Sequence, residues 1–205
     1  VPKERRIRPI HIWQSAAAIL FLLLASSVYL STVGTKAETD LLQQYIPIAE
    51  MRSLTLPDGT KVQLNSKSTL LYPQEFTGDS RSVFLLGEAN FKVKPDKKRP
   101  FIVKSNDLQI TALGTEFNVS AYPESQEIAT TLISGSIRVD YNNLTTSVIL
   151  HPNEQFAYNR NNKKYDLSNP DMDDVTAWQR GELVLQKMTL TDIINVLERK
   201  YPYAF

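Results

Sequence analysis

From Ile12 to Val33 (IWQSAAAILFLLLASSVYLSTV) the chain carries no charged side chain, and no polar face recurs at helical spacing. At 1.5 Å per residue a helix over this stretch would reach across a hydrocarbon core of ~30 Å. A buried core helix would show a polar stripe, and a signal peptide has a shorter apolar region of about 7–15 residues. The pattern therefore predicts a single transmembrane helix over residues 12–33. Lys3, Arg5, Arg6 and Arg8 precede it against Glu4 alone. Such a cluster stays in the cytoplasm, which makes residues 1–11 a cytoplasmic basic flank and exports everything after Gly34. Trp13 and Tyr29 lie near the two ends, where amphipathic rings favour the headgroup boundary.

Beyond the helix the period changes. Residues 34–49 are polar and end near Pro47, reading as a juxtamembrane linker with a turn or two of helix. Residues 50–168 alternate short β-branched and aromatic runs with turn residues at roughly 8–12 residue spacing, the pattern of an all-β domain. In Lys61–Asn65 and Ser136–Asp140 the apolar residues take every second place, so each strand buries one face and wets the other. Candidate strands run from Arg52–Leu56 to Gln155–Asn159. Ser82–Leu86 and Asn90–Lys94 are read as two strands divided at Gly87, and Gly59, Gly78, Gly87, Gly114 and Gly135 as turns of positive φ. The expected fold class is mainly β: a roll or solenoid-like sandwich behind one N-terminal helix.

Residues 169–205 read as the start of a small α+β domain, cut short at Phe205. Asp171, Asp173 and Asp174 suit the N-terminal end of a short helix. As a calcium loop the run lacks the glycine at position six and the glutamate at position twelve. A strand is expected over Glu182–Leu185. A helix follows, capped by Thr189 with Asp192 three residues on, with Leu190, Ile193, Ile194 and Leu197 on one face and Pro202 at its end.

A formal charge of +1 gives no nucleic-acid footprint, and the absence of cysteine removes disulfides, thiol catalysis and thiolate metal sites. The two histidines, His11 and His151, fall on opposite sides of the expected membrane span. No serine sits in a nucleophile elbow, and Glu75, Glu88, Glu116 and Glu154 read as scattered, solvated carboxylates. The sequons at Asn118 and Asn143 read as incidental. Catalytic, cofactor-binding and metal-binding residues are all expected to be none, and the protein is not expected to be an enzyme.

Six runs in fixed order carry a resemblance: Leu56–Ser68 (LPDGTKVQLNSKS), Arg81–Val93 (RSVFLLGEANFKV), Pro100–Val103 (PFIV), Leu113–Val119 (LGTEFNV), Leu132–Val139 (LISGSIRV) and Leu150–Phe156 (LHPNEQF), with Tyr72-Pro73 and Phe76 between the first two. Together they resemble the FecR family of sigma-factor regulators. Trp178, Gly181 and the run ending Leu197-Glu198-Arg199-Lys200-Tyr201 resemble the domain that follows in that family, related to the short N-terminal domain of secretins and TonB-dependent receptors.

The resemblance implies an inner-membrane, single-pass anti-sigma factor with a periplasmic C-terminal part. Its implied partners are an extracytoplasmic-function sigma factor, bound through a cytoplasmic segment outside this sequence, and the periplasmic signalling domain of an outer-membrane transporter. The membrane is a third partner, and direct nucleic-acid contact is not implied. Candidate partner-contact residues are Trp178, Leu190, Ile194 and Leu197. The competing reading is a membrane-tethered β-rich binding or scaffold module without transcriptional output.

Overall fold

The computed structural model describes residues 9–33, 40–105, 107–186 and 188–203; within the N-terminal helix, side chains are described for Trp13 and residues 17–29. The chain divides into two compact units, residues 1–38 and 39–205. In the first, α1 (Pro9–Val33) runs for 25 residues with no acidic residue in its first turn and no basic residue in its last. Among the described residues no helix is long and apolar enough to cross a membrane, so the span expected over residues 12–33 is not established by the fold. The basic flank lies outside the described residues.

The second unit opens with a correction. Leu41–Tyr45, read as linker, is strand β1, paired antiparallel to β4 (Thr69–Pro73). Its polar Gln43 and Gln44 hide the alternation, and the pairing with β4 overrides the weak local signal. Then follow β2 (Arg52–Thr55), β3 (Lys61–Leu64), β4, β5 (Arg81–Lys92), β6 (Phe101–Lys104), β7 (Gln109–Ala112), β8 (Glu116–Ala121), β9 (Glu127–Ser134), β10 (Ile137–Tyr141), β11 (Thr146–Leu150), β12 (Gln155–Asn159) and β13 (Tyr165–Ser168). The expected β class holds. β13 has no counterpart in the expected strands: its four residues YDLS are too short a run to stand out, and they are held as a strand by pairing with β12.

The thirteen strands of the described residues belong to one continuous sheet that curls into two layers. One layer runs β1-β4-β5-β6-β7-β10-β11 and the other β2-β3-β5-β8-β9-β12-β13. Among the described residues only β5 and β6 pair in parallel. β5 belongs to both layers: Arg81–Leu86 pairs with β4 and β6, and Gly87–Lys92 pairs with β3 and β8. The two strands expected on either side of Gly87 are therefore one strand of 12 residues. Gly87 is not a turn. At φ +104° it redirects the strand from one layer to the next, and the place of its missing Cβ is filled by Ser68. Gly59, Gly114 and Gly135 do have positive φ, whereas Gly78 does not.

Alternation along the strands fills the space between the layers. Val83, Leu85, Ala89 and Phe91 of β5 point inward with Phe101, Ile110, Phe117, Leu132, Val139 and Phe156. Rings bridge the layers: Phe91 lies 6.0 Å from Phe101, and Tyr141 lies 5.3 Å from Phe156. A charged side chain, Arg81, is buried at the edge of this core together with its partner Asp58. Arg81 is 1 % exposed and donates through Nη1 to Asp58 Oδ2 at 2.7 Å and to the Lys94 carbonyl at 2.8 Å, and through Nε to the Arg99 carbonyl at 2.9 Å.

After β13, helix α2 (Met172–Thr176) is capped by Asp171, which accepts from the Asp173 N–H, with Asp173 and Asp174 in its first turn as the sequence predicts. A 3-10 turn, Ala177–Arg180, ends on Gly181 in left-handed conformation. Glu182–Leu185 forms no strand, contrary to expectation. Its Leu183/Leu185 alternation mimics one, but no strand pairs with it, and without a ladder partner alternation does not make a strand. Helix α3 (Leu190–Lys200) forms as read, with Thr189 Oγ1 accepting from the Asp192 N–H at 3.2 Å. All of residues 169–205 that are described belong to the same compact unit as the β-layers.

Candidate functional site: a polar latch on the second layer

The outward positions of the β3-β5-β8-β9-β12 layer are polar. Cross-strand register aligns Gln63, Asn90, Asn118, Thr131, Gln155 and Ser168 in one row across six strands. Such a row belongs at a wetted surface, yet Asn90, Asn118 and Thr131 are buried. The covering is the C-terminal segment. Between it and the layer lies a cavity of about 580 Å³, with Glu88, Asn118 and Thr131 on its floor and Trp178, Leu183 and Val196 around it.

Besides Asn169, whose Nδ2 donates to the Asn153 carbonyl at 3.2 Å, two side chains fasten the segment over Glu88 and Tyr122. Trp178, 9 % exposed, donates through Nε1 to Asn118 Oδ1 at 3.2 Å. Asn118 Nδ2 donates to Glu88 Oε1 at 3.0 Å, and Asn65 Nδ2 donates to Glu88 Oε2 at 2.8 Å. Asn65 Oδ1 in turn accepts from the Ser66 N–H at 2.8 Å. The polarity of this chain is fixed, because each amide oxygen is already taken and each amide nitrogen must donate towards the carboxylate. The second fastener is Arg199 of α3. Its guanidinium lies 3.9 Å from the Tyr122 ring centroid, and its Nη1 donates to Glu124 Oε1 at 2.8 Å. Its carbonyl accepts from the Ala49 N–H at 3.0 Å. Lys200 Nζ closes the segment on itself by donating to the Gly181 carbonyl at 2.9 Å.

Electrostatics follow from the covering. Burial raises the Glu88 carboxyl above its ordinary value, against the lowering effect of Asn118, Asn65 and the nearby Arg199 charge. Burial also pushes the Tyr122 hydroxyl far above its usual range, with the Glu88 charge adding to the effect. Tyr122 therefore stays protonated and donates to the Ser66 carbonyl at 2.9 Å. Because the folded-state value of Glu88 is raised, its contribution to stability is fully present below the unfolded-state value near 4.5. It is lost as pH rises through the higher folded-state value. Urea unfolding of wild type and Glu88→Gln across that range should show the variant gaining on the wild type as pH rises. A difference that is flat with pH would contradict the assignment.

Of the partner-contact candidates, Trp178 sits in the latch, while Leu190 is 75 % exposed and Ile194 and Leu197 are half-buried on α3. The structure does not bring these four together into one patch: Trp178 faces the β-layer and Leu190 faces solvent. Asn65, Glu88, Asn118, Tyr122 and Arg199 escape single-strand reading. The signal that carries them is polar residues at same-face positions of neighbouring strands, visible only once register is known.

Comparison with known proteins places this architecture. The family described as FecR protein matches residues 46–138. A crystal structure at 2.50 Å of a putative anti-sigma factor from Parabacteroides distasonis ATCC 8503 superposes with a TM-score of 0.76 at 37 % identity, covering 80 % of this chain and 76 % of that one. A second structure under the same description, at 1.65 Å, gives 0.75 at 37 % identity over 78 % and 75 % of the two chains. The chain belongs to the FecR family of anti-sigma regulators. Among curated proteins there is no match. In this FecR-type chain the matched region ends within β10, so the rest of β10, β11 to β13 and the C-terminal segment lie beyond it, while Asn65, Glu88, Asn118 and Tyr122, on which that segment is fastened, lie within it.

Proposed function

We propose that this FecR-type regulator is a single-pass inner-membrane anti-sigma factor that carries a signal from an outer-membrane TonB-dependent transporter to an extracytoplasmic-function sigma factor. Family membership at 37 % identity over most of the chain is the observation that carries the reading. The topology is supported by the sequence alone: the uncharged run Ile12–Val33 follows a cluster of Lys3, Arg5, Arg6 and Arg8. The β-layers then form the exported body, and the latch its signal-responsive end.

A relay of this kind needs no catalytic group. It needs two arrangements whose balance a partner biases through a difference in affinity. The latch suits this role because it is fastened by few, mostly polar contacts.

The test uses the full-length protein in its native host. Tagged protein should co-purify a sigma factor, and a reporter active only in the periplasm, fused after Thr35, should be active. Deleting Trp178–Phe205 should abolish the transcriptional response to inducer while the protein still inserts in the membrane. Normal induction by the deletion strain, or no sigma factor in the purified material, would replace the relay with a tethered binding module.

A further inference from the structure

The outward face of the other layer is unlike the polar row beneath the latch. Phe84 and Leu86 of β5 are 42 % and 38 % exposed, and Leu71 of β4 stands opposite Phe84. They form one wall of a groove of about 810 Å³ that is closed by the tip of the β10–β11 hairpin. At that tip Asn142, Asn143 and Leu144 all hold positive φ, at 50°, 56° and 65°. Asparagine tolerates this conformation; leucine does not do so readily. The turn is nonetheless fixed, because Thr145 Oγ1 donates to the Asn142 carbonyl at 2.7 Å and the Tyr158 hydroxyl donates to Asn142 Oδ1 at 3.2 Å. The product of the strain is a leucine held 56 % exposed at the mouth of an apolar groove.

The rim of the groove is cationic. Lys104 Nζ lies 5.4 Å from the Phe84 ring centroid, its neighbour among the described residues being that ring rather than a carboxylate. On the other side Lys163 Nζ lies 5.8 Å from the Tyr158 ring centroid and 3.7 Å from Asp107 Oδ1. Asp107 is shared with Arg160 at 3.2 Å, so one carboxylate faces two cations. Phe84 and Leu86 are two residues apart on one strand, which spaces their side chains about 7 Å along the face. Alternate side chains of an extended peptide repeat at the same interval. Two separated cations also fit separate acidic side chains better than a single headgroup.

We propose that this groove is a docking site for an extended segment of a partner protein that presents apolar residues at every second position and is flanked by acidic residues at its two ends. The apolar side chains seat on Leu71, Phe84, Leu86 and Leu144, and the carboxylates meet Lys104 and Lys163. The site is separate from the latch and does not depend on the relay reading.

Fluorescence anisotropy with the full chain in detergent tests it, using a labelled ten-residue peptide in which leucine alternates with serine between glutamates at the two ends, the same peptide with lysine for glutamate, and sodium laurate as competitor. The glutamate peptide should bind at least about tenfold tighter than the lysine peptide. Leu144→Asn places a residue suited to positive φ at the tip, so it should leave thermal stability unchanged or raised while weakening the glutamate peptide about tenfold. Lys104→Glu with Lys163→Glu should reverse the preference between the peptides. Equal binding of the two peptides, or undiminished binding to Leu144→Asn, would overturn the proposal. Laurate binding where the glutamate peptide does not bind would also overturn it, in favour of an amphiphile site.

Discussion

Gly87→Val should be among the most damaging single substitutions in this protein, lowering the urea midpoint far more than Gly78→Val in the loop before β5. A Cβ at position 87 would stand 2.5 Å from Ser68 Oγ and 2.7 Å from Ser68 Cα, so backbone as well as side chain would have to move. Ser68 cannot simply turn away. It is fully buried, its Oγ donates to the Glu88 carbonyl at 3.1 Å, and the same oxygen accepts from the Glu88 N–H at 2.8 Å. Holding a β-branched residue at φ +104° adds backbone strain. Overpacking and strain each cost about 1–3 kcal/mol, and here they fall on the one strand shared by both layers. At Gly78 nothing lies within 4 Å of the built Cβ. Equal midpoints for the two variants would show that β5 can cross between layers without a glycine.

Arg81→Met should be comparably severe. The substitution keeps volume beside Phe101, whose ring centroid is 5.5 Å from the guanidinium carbon, but it leaves Asp58 buried at 4 % side-chain exposure with its cation gone. Removing one partner of a buried ion pair costs about 3–5 kcal/mol. It also strands the Lys94 and Arg99 carbonyls. Asp58 would keep only the Thr60 backbone N–H at 2.9 Å and the Thr60 hydroxyl at 2.7 Å. A double-mutant cycle with Asp58→Leu separates the terms: the double variant should be clearly more stable than the sum of the single losses predicts. Strict additivity in urea unfolding would mean that the two charges do not act as a pair.

What could be read in the chain depended on whether a residue's role was local. Thr189 and Asp192 announce the start of α3, and Asp171 that of α2, because a cap is made within one turn. The strands from β2 to β12 announce themselves through alternation, since one face is buried whatever lies across from it. β1 and β13 do not, because each is short, mostly exposed and held by a neighbour. Gly87 shows the limit of punctuation: a glycine between apolar runs signals positive φ correctly, yet only the position of Ser68 tells that the chain bends rather than stops. Arg81, Glu88 and Asn118 are hidden for the opposite reason. Their residue types suggest solvent, and it is contacts 23 to 60 residues distant that bury them. The buried arginine and the latch are thus properties of topology rather than of any segment.

The floor beneath the latch has one more consequence. Protein surfaces that must be uncovered during work are hazardous when they are greasy, because a bared apolar face sticks to whatever is near. Here the face that would be bared offers amides, hydroxyls and a carboxylate, with Asn118, Thr131 and Glu88 at its centre. Water can replace Trp178 as the donor to Asn118, and the hydrophobic interior between the layers stays closed because its residues point the other way. Lifting the C-terminal segment would therefore wet a surface already suited to water, leaving the β-layers soluble and ready to receive the segment again.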